Sequence, residues 1–88
     1  MDYQALTEQL VDLLQTHGVI IRKDSMGGSG GGLCRINNKN IFYYDTDASS
    51  FESAVMCARA VYGAIEDLES IYLRPFVRDF IDKYGPNE

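Results

Sequence analysis

The sequence predicts an α+β domain in which a three-stranded antiparallel sheet packs against helices, in the order α-β-β-β-α-α. Apolar residues recur every three or four positions at both ends of the chain, which is the spacing of amphipathic helices. Between these segments lie three short runs rich in β-branched and aromatic residues, which favour strands. The 88 residues suffice for one domain, residues 1–88, with one core.

The first helix is predicted over residues 2–17. Asp2 suits its first position because a carboxylate accepts hydrogen bonds from the free N–H groups of a first turn. Gly18 suits the left-handed conformation in which many helices end. One side of this helix contains Tyr3, Leu6, Leu10, Leu13, Leu14 and His17, and is expected to face the core.

Strands are predicted at residues 19–23, 33–37 and 40–45. The last two flank Asn38 and Lys39, and a short connection that begins with Asn between apolar runs indicates a tight hairpin. With that loop, Ile36 pairs with Ile41 and Cys34 with Tyr43. Both faces of the hairpin then carry apolar side chains.

The C-terminal half is predicted to contain two helices. Residues 49–52 (SSFE) form a capping-box sequence, followed by an apolar stripe that extends to Leu68, so a helix is expected over about 50–68. Pro75 suits the first position of the last helix, and Gly85 with Pro86 ends it. Residues 71–73 are compatible with a short edge strand.

Composition argues against several classes of partner. The chain has 8 basic and 13 acidic residues, a formal net charge of −5, which disfavours binding to a nucleic-acid backbone or an acidic membrane surface. No apolar run approaches the roughly 20 residues of a membrane span. The first residues lack the basic and apolar pattern of a secretory signal, so a cytoplasmic protein with reduced cysteines is expected.

Residues 26–32 (MGGSGGG) form a glycine-rich loop that could bind a small ligand or an anion. Backbone N–H groups without side chains can surround an anion, and the candidate binding residues are Gly27, Gly28, Gly30, Gly31, Gly32, Cys34 and Arg35. The loop leads into a strand, whereas phosphate-binding and dinucleotide-binding loops lead into a helix. The alternative is a flexible connection or a bulged strand.

Thiol and metal chemistry have weaker support. Cys34 directly follows the glycines and could act as a nucleophile with His17, the only imidazole, which would make the protein a thiol-dependent enzyme. Cys57 lies beside an apolar helical stripe and is expected to be buried. Two cysteines and one histidine do not supply a zinc site, so no metal and no cofactor are predicted. Asp45 and Asp47 are interpreted as capping residues rather than as cation ligands.

The chain resembles a set of small bacterial proteins of unknown function. The resemblance is carried by the glycine-rich GGxGGxC stretch at residues 27–34, by the hairpin that ends in an apolar-Asp step, and by a Tyr-Leu-x-Pro segment at residues 72–75. The element order is more distantly similar to minimal zinc metallopeptidases, whose helix after the third strand carries His-Glu-x-x-His. Here residues 51–65 contain no His and one Glu, Glu52, so this similarity implies a scaffold and no zinc chemistry.

Protein association is the function that the sequence favours, with a homodimer as its first form and another protein as a possible partner. The hairpin carries Ile36, Ile41 and Tyr43 on one side and Leu33, Phe42 and Tyr44 on the other. Helices of the same chain cover one side well, and a second copy related by a twofold axis would cover the other. A monomer results instead if the last helix covers that second side.

Overall fold

The structure is a computed structural model that describes residues 2–28 and 31–86. It confirms the α+β class and the predicted element order. The helices are α1 (Tyr3–Thr16), α2 (Ser50–Ala64) and α3 (Pro75–Tyr84), with a short 3₁₀ turn at Leu68–Ser70. The strands are β1 (Ile20–Asp24), β2 (Gly32–Ile36) and β3 (Lys39–Asp45).

The predicted N-terminal caps of α1 and α2 are confirmed, and Pro75 begins α3 as predicted. The Asp2 Oδ1 atom accepts hydrogen bonds from the N–H groups of Gln4 at 3.0 Å and Ala5 at 3.1 Å. At the start of α2, the Ser49 Oγ atom accepts from the Glu52 N–H at 3.1 Å, while the Glu52 carboxylate accepts from the Ser49 N–H at 3.4 Å. These bonds satisfy N–H groups that have no partner within a helix.

Helix α2 ends at Ala64, four residues before its predicted end at Leu68. The chain leaves the helix at Ile65, and the 3₁₀ turn then brings Leu68 back onto the core. The Arg78 guanidinium on α3 donates to the carbonyls of Leu68 at 3.2 Å and Ile71 at 2.5 Å, which holds this connection against α3. Residues 71–73 are not a strand, and the predicted edge strand there is wrong.

The predicted antiparallel sheet is wrong in one respect: the sheet is mixed, with the order β1-β3-β2. Strand β3 lies in the centre, parallel to β1 and antiparallel to β2. The prediction assumed that strands adjacent in sequence are adjacent in the sheet, which holds for most but not all pairs. Here both described parts of the glycine-rich loop lie near the C-terminal end of β3: Met26 and Gly27 bond the Asp45 and Asp47 carboxylates, and Gly31 lies against the Tyr43 carbonyl.

The hairpin turn lies one residue earlier than predicted. Asn37 and Asn38 form it with φ angles of 52° and 65°. A type I′ turn needs positive φ at both central residues, and Asn tolerates this conformation better than the Lys39 of the predicted turn. Cys34 therefore lies opposite Ile41 rather than Tyr43. Because the pairing shifts by two residues, each side chain keeps its predicted face.

The core lies between the helices and one face of the sheet. Phe42 is fully buried there, and Leu33, Ile21 and Tyr44 pack against the same cluster. The helices contribute most of the buried residues, which include Leu6, Leu10, Leu14, Ala54, Cys57, Ala58, Val61, Val77 and Ile81. Most of the apolar stripes of the three helices thus face the core as the spacing predicted, but His17 is exposed, so its predicted place on the core-facing side of the first helix is wrong. Tyr44 belongs to this covered face, so the side of the hairpin that carries Leu33, Phe42 and Tyr44 is the one that the helices cover.

Candidate functional site

The face of the sheet opposite the helices is not covered by any described residue and carries exposed apolar side chains. We call it the outer face. Its apolar residues come from all three strands: Ile20, Cys34, Ile36, Ile41 and Tyr43. Ile36 is 48% exposed and Ile20 is 38% exposed, which is unusual for isoleucine in a small domain. A contiguous apolar patch on a sheet often marks an interface.

Ile41 lies in the middle of the outer face. It is 9% exposed, yet it does not belong to the core cluster beneath the sheet. Its neighbours across the strands are Ile20 on β1 and Cys34 on β2. These three side chains form a continuous apolar row across the sheet, so the patch is not a set of isolated side chains.

The two ends of the outer face carry opposite charge. Lys39 lies beside Ile36 at the hairpin end. At the other end, Asp24 lies beside Asp45, and the exposed Asp24 carboxylate accepts the Ser25 N–H at 2.8 Å. Arg22 lies between this end and the apolar row. A basic end and an acidic end give the face a charge pattern that is complementary to a copy of itself turned through 180°.

The glycine-rich loop is held to the end of β3 by carboxylates. The Asp45 Oδ1 atom accepts hydrogen bonds from the N–H groups of Met26 at 3.0 Å and Asp47 at 2.9 Å. The Asp47 carboxylate accepts from the Gly27 N–H at 3.0 Å and from the Ser25 hydroxyl. The N–H groups of Met26 and Gly27 in the loop thus already bind carboxylates of the same chain. The negative charge of these carboxylates would repel an added anion.

Gly31 explains part of the glycine content of the loop. Its φ is +72°, and a Cβ atom at this position would lie 1.9 Å from the Tyr43 carbonyl oxygen. The loop therefore approaches the β3 backbone more closely than a residue with a side chain allows. Gly27 and Gly28 also have positive φ angles, +72° and +87°, but a Cβ atom there would meet nothing closer than 4.0 Å.

The predicted ligand-binding residues do not converge on one point. Gly27 and Gly28 lie in the loop, and Gly31 and Gly32 lie beside Tyr43; Gly30 falls outside the described residues. Cys34 and Arg35 are adjacent on an extended strand and so point to opposite faces of the sheet, Cys34 to the outer face.

The two cysteines have different environments. Cys34 is exposed on the outer face. Cys57 is fully buried, and burial raises the pKa of its thiol to about 12, which keeps it protonated and unreactive at neutral pH. The His17 Nδ1 atom lies 3.0 Å from the Leu13 carbonyl oxygen of its own helix. Its ring thus has a local hydrogen-bond partner, as a helix-terminal His would.

The described residues contain no group of three or more His, Cys, Asp or Glu side chains placed to hold a metal ion. None of the helices in the described part of the chain has the length and apolar character needed to cross a bilayer.

The last helix does not cover the outer face, because Phe80 and Tyr84 pack against Phe51, with ring centroids 6.4 and 5.5 Å away. The competing arrangement, in which α3 covers the second side, is therefore wrong.

Sequence reasoning missed a groove between β2 and α2. It has a volume of about 440 Å³, and its lining includes Leu33, Met56, Arg59, Tyr62 and Gly63. The groove depends on tertiary structure, because nothing in the residue spacing of β2 or of α2 shows that the two elements lie side by side with a gap between them. A glycine at position 63 inside a helical stripe was the one available signal.

Comparisons with protein families, with curated proteins and with solved structures found no match to this chain.

Proposed function

We propose that the protein acts by self-association, as a homodimer in which the outer faces of two copies pack against each other. The observation that supports this proposal is the continuous row formed by Ile20, Ile41 and Cys34, extended by the half-exposed Ile36. Each of these side chains would gain hydrophobic stabilisation of about 25 cal/mol per Å² of apolar surface removed from water. The proposed activity is non-catalytic.

The charge pattern of the outer face favours a second copy as the occupant. A twofold axis that lies in the plane of the interface, perpendicular to the strands and near Ile41 and Tyr43, brings the Lys39 end of one copy against the Asp24 end of the other. The contact between Lys39 of one copy and Asp24 of the other then occurs twice in the dimer, because of the twofold symmetry. If the two faces packed with their strands running in the same direction, ends of like charge would lie together, which costs free energy.

Light scattering over a dilution series tests the association. The wild-type chain is expected to change from twice 9.9 kDa towards 9.9 kDa as it is diluted through the micromolar range. Ile36→Lys should shift the mass to the monomer at concentrations where the wild type is dimeric, while its circular dichroism spectrum stays unchanged. Tyr72→Lys is the matched control because Tyr72 is 84% exposed on the helical side of the domain. A monomeric mass for the wild type at every concentration would overturn the proposal.

A charge exchange tests the twofold arrangement itself. Lys39→Asp and Asp24→Lys should each weaken the dimer by about two- to tenfold, as expected for exposed ion pairs that each occur twice. The double variant restores opposite charges and should recover most of that loss. If the double variant is weaker than both single variants, the two ends do not meet.

A further inference from the structure

We propose a second binding site that does not depend on self-association: the groove between β2 and α2 binds an extended acidic peptide, which adds to the free edge of the sheet. The peptide would pair with the β2 backbone and insert alternate side chains into the groove. Three independent features support this assignment: the unpaired edge, the shape of the groove, and its charge.

The first feature is the backbone of β2. The sheet order β1-β3-β2 leaves one side of β2 without a strand neighbour among the described residues. Ile36 and Lys39 flank the two-residue turn and exchange both backbone hydrogen bonds, as the pair next to such a turn does. By alternation, the N–H and C=O groups of Leu33 and Arg35 point away from β3. These are the groups to which an added strand binds.

The second feature is the shape of the groove beside this edge. Leu33 and Gly63 form its floor, since a Cβ atom at position 63 would lie 3.7 Å from the Leu33 Cδ2 atom. Met56 and Tyr62 contribute apolar walls. Glycine within a helix costs roughly 0.5–1 kcal/mol relative to alanine, and here it keeps the floor open. A branched or aromatic peptide side chain opposite Leu33 would enter this space.

The third feature is the charge around the groove. Arg59 lines it, and Arg35 lies on the same face of β2 as Leu33, two residues along. Within the described residues, the only polar contact of the Arg59 side chain is with the Met56 sulfur at 3.8 Å, a weak acceptor. Among the described residues, those that line the groove include no acidic side chain, although the chain has a net charge of −5.

These features specify the chemistry of the peptide. Side chains two residues apart on a strand lie on one face, about 6.6 Å apart. An apolar side chain opposite Leu33 and an acidic one opposite Arg35 therefore fit an alternating sequence. A second copy of β2 fits less well, because antiparallel pairing centred on Cys34 would place its Arg35 opposite Leu33, near Arg59.

Binding can be measured with a defined probe. The probe is a fluorescein-labelled peptide of sequence Thr-Leu-Thr-Glu-Thr-Glu-Thr with blocked ends. Its fluorescence anisotropy should rise to saturation, and in ¹⁵N spectra the amide signals of Leu33 and Arg35 should shift most. A peptide with lysine in place of glutamate, and one N-methylated at alternate amides, are the matched controls. Both should bind at least about tenfold more weakly, because one reverses the charge and the other removes backbone donors.

Variants test the groove. Arg59→Glu and Gly63→Leu should each weaken binding by about tenfold, the first by charge reversal and the second by filling the floor. Arg59→Lys should retain most of the affinity, and Arg74→Glu, a charge reversal at the exposed start of α3, should change it little. Equal binding of the glutamate and lysine peptides, shifts confined to outer-face amides, or no saturable binding would each overturn the proposal. Because Ile36→Lys should leave peptide binding intact, this result is separable from that of the homodimer.

Discussion

Replacing Gly31 by alanine should destabilise the protein far more than the same replacement at Gly27. The two glycines share a φ angle of +72°, so the backbone strain added by a side chain is the same at both. Their surroundings differ. A Cβ atom at Gly27 meets nothing within 4 Å, whereas one at Gly31 would lie 1.9 Å from the Tyr43 oxygen and 2.9 Å from its carbonyl carbon.

The magnitudes follow from these contacts. Left-handed backbone costs alanine about 1–2 kcal/mol, and the smaller entropy of its unfolded chain offsets about 0.4–1 kcal/mol of that. Gly27→Ala should therefore lower the free energy of unfolding by about 1 kcal/mol or less. Gly31→Ala adds a steric overlap that forces the start of β2 away from β3, which costs about a further 1–3 kcal/mol. The total stability of an 88-residue domain is of order 4–13 kcal/mol.

Urea denaturation followed by circular dichroism measures both variants. Equal slopes with a lower midpoint for Gly31→Ala than for Gly27→Ala are the expected result. Equal midpoints would refute the reasoning, because they would show that the loop does not pass against the Tyr43 carbonyl. The mixed topology of the sheet would then need another explanation.

Three further predictions concern the core and its chemistry. Val61→Asp should unfold the domain, since Val61 is fully buried and an unpaired carboxylate there costs several kcal/mol. Glu66→Gln, at an exposed position, should keep the thermal midpoint within a few degrees of the wild-type value. A cooperative transition near the wild-type midpoint in Val61→Asp would contradict the assigned core. The buried Cys57 thiol should make the protein less stable as the pH rises from 9 to about 12, because the thiol ionises near pH 9 in the unfolded chain but only near pH 12 in the folded protein. The free energy of unfolding should fall by about 1 kcal/mol per pH unit over this range. Urea titrations at alkaline pH should show this loss in the wild type, and the contribution should be absent from Cys57→Ala. Identical pH dependence of both proteins would contradict it. Metal analysis after dialysis against a chelator should find less than one zinc per chain, and one retained zinc per chain would contradict the absence of a ligand set.

Local signals in the sequence predicted most of the elements. Asp2, the Ser49 capping box and Pro75 each act within one helical turn, so their hydrogen bonds or fixed φ angles could be inferred from neighbours in the sequence. The early end of α2 could not be inferred in this way. The segment after Ala64 is bonded by Arg78, ten residues beyond Leu68, whose guanidinium donates to carbonyls that only the tertiary fold brings near.

The sheet shows the same limit. Alternation along the hairpin correctly separated Phe42 from Ile41, because a shift by two residues preserves the face. The position of β3 between β1 and β2 brings Gly31 against the Tyr43 backbone, a contact that no local pattern encodes. For the candidate sites, the sequence indicated that one side of the hairpin would be less well covered, but not which side. It did not indicate the groove, since the groove exists only where α2 lies beside β2.

The most direct test of the central claim is an isotope-filtered nuclear Overhauser experiment on a mixture of ¹³C-labelled and unlabelled protein. If two outer faces pack together, the methyl groups of Ile20, Ile36 and Ile41 should give contacts between labelled and unlabelled chains, and these contacts should disappear in Ile36→Lys. Contacts between chains that involve Phe76 or Tyr72 on the helical side, with none from the three isoleucines, would contradict the proposed interface.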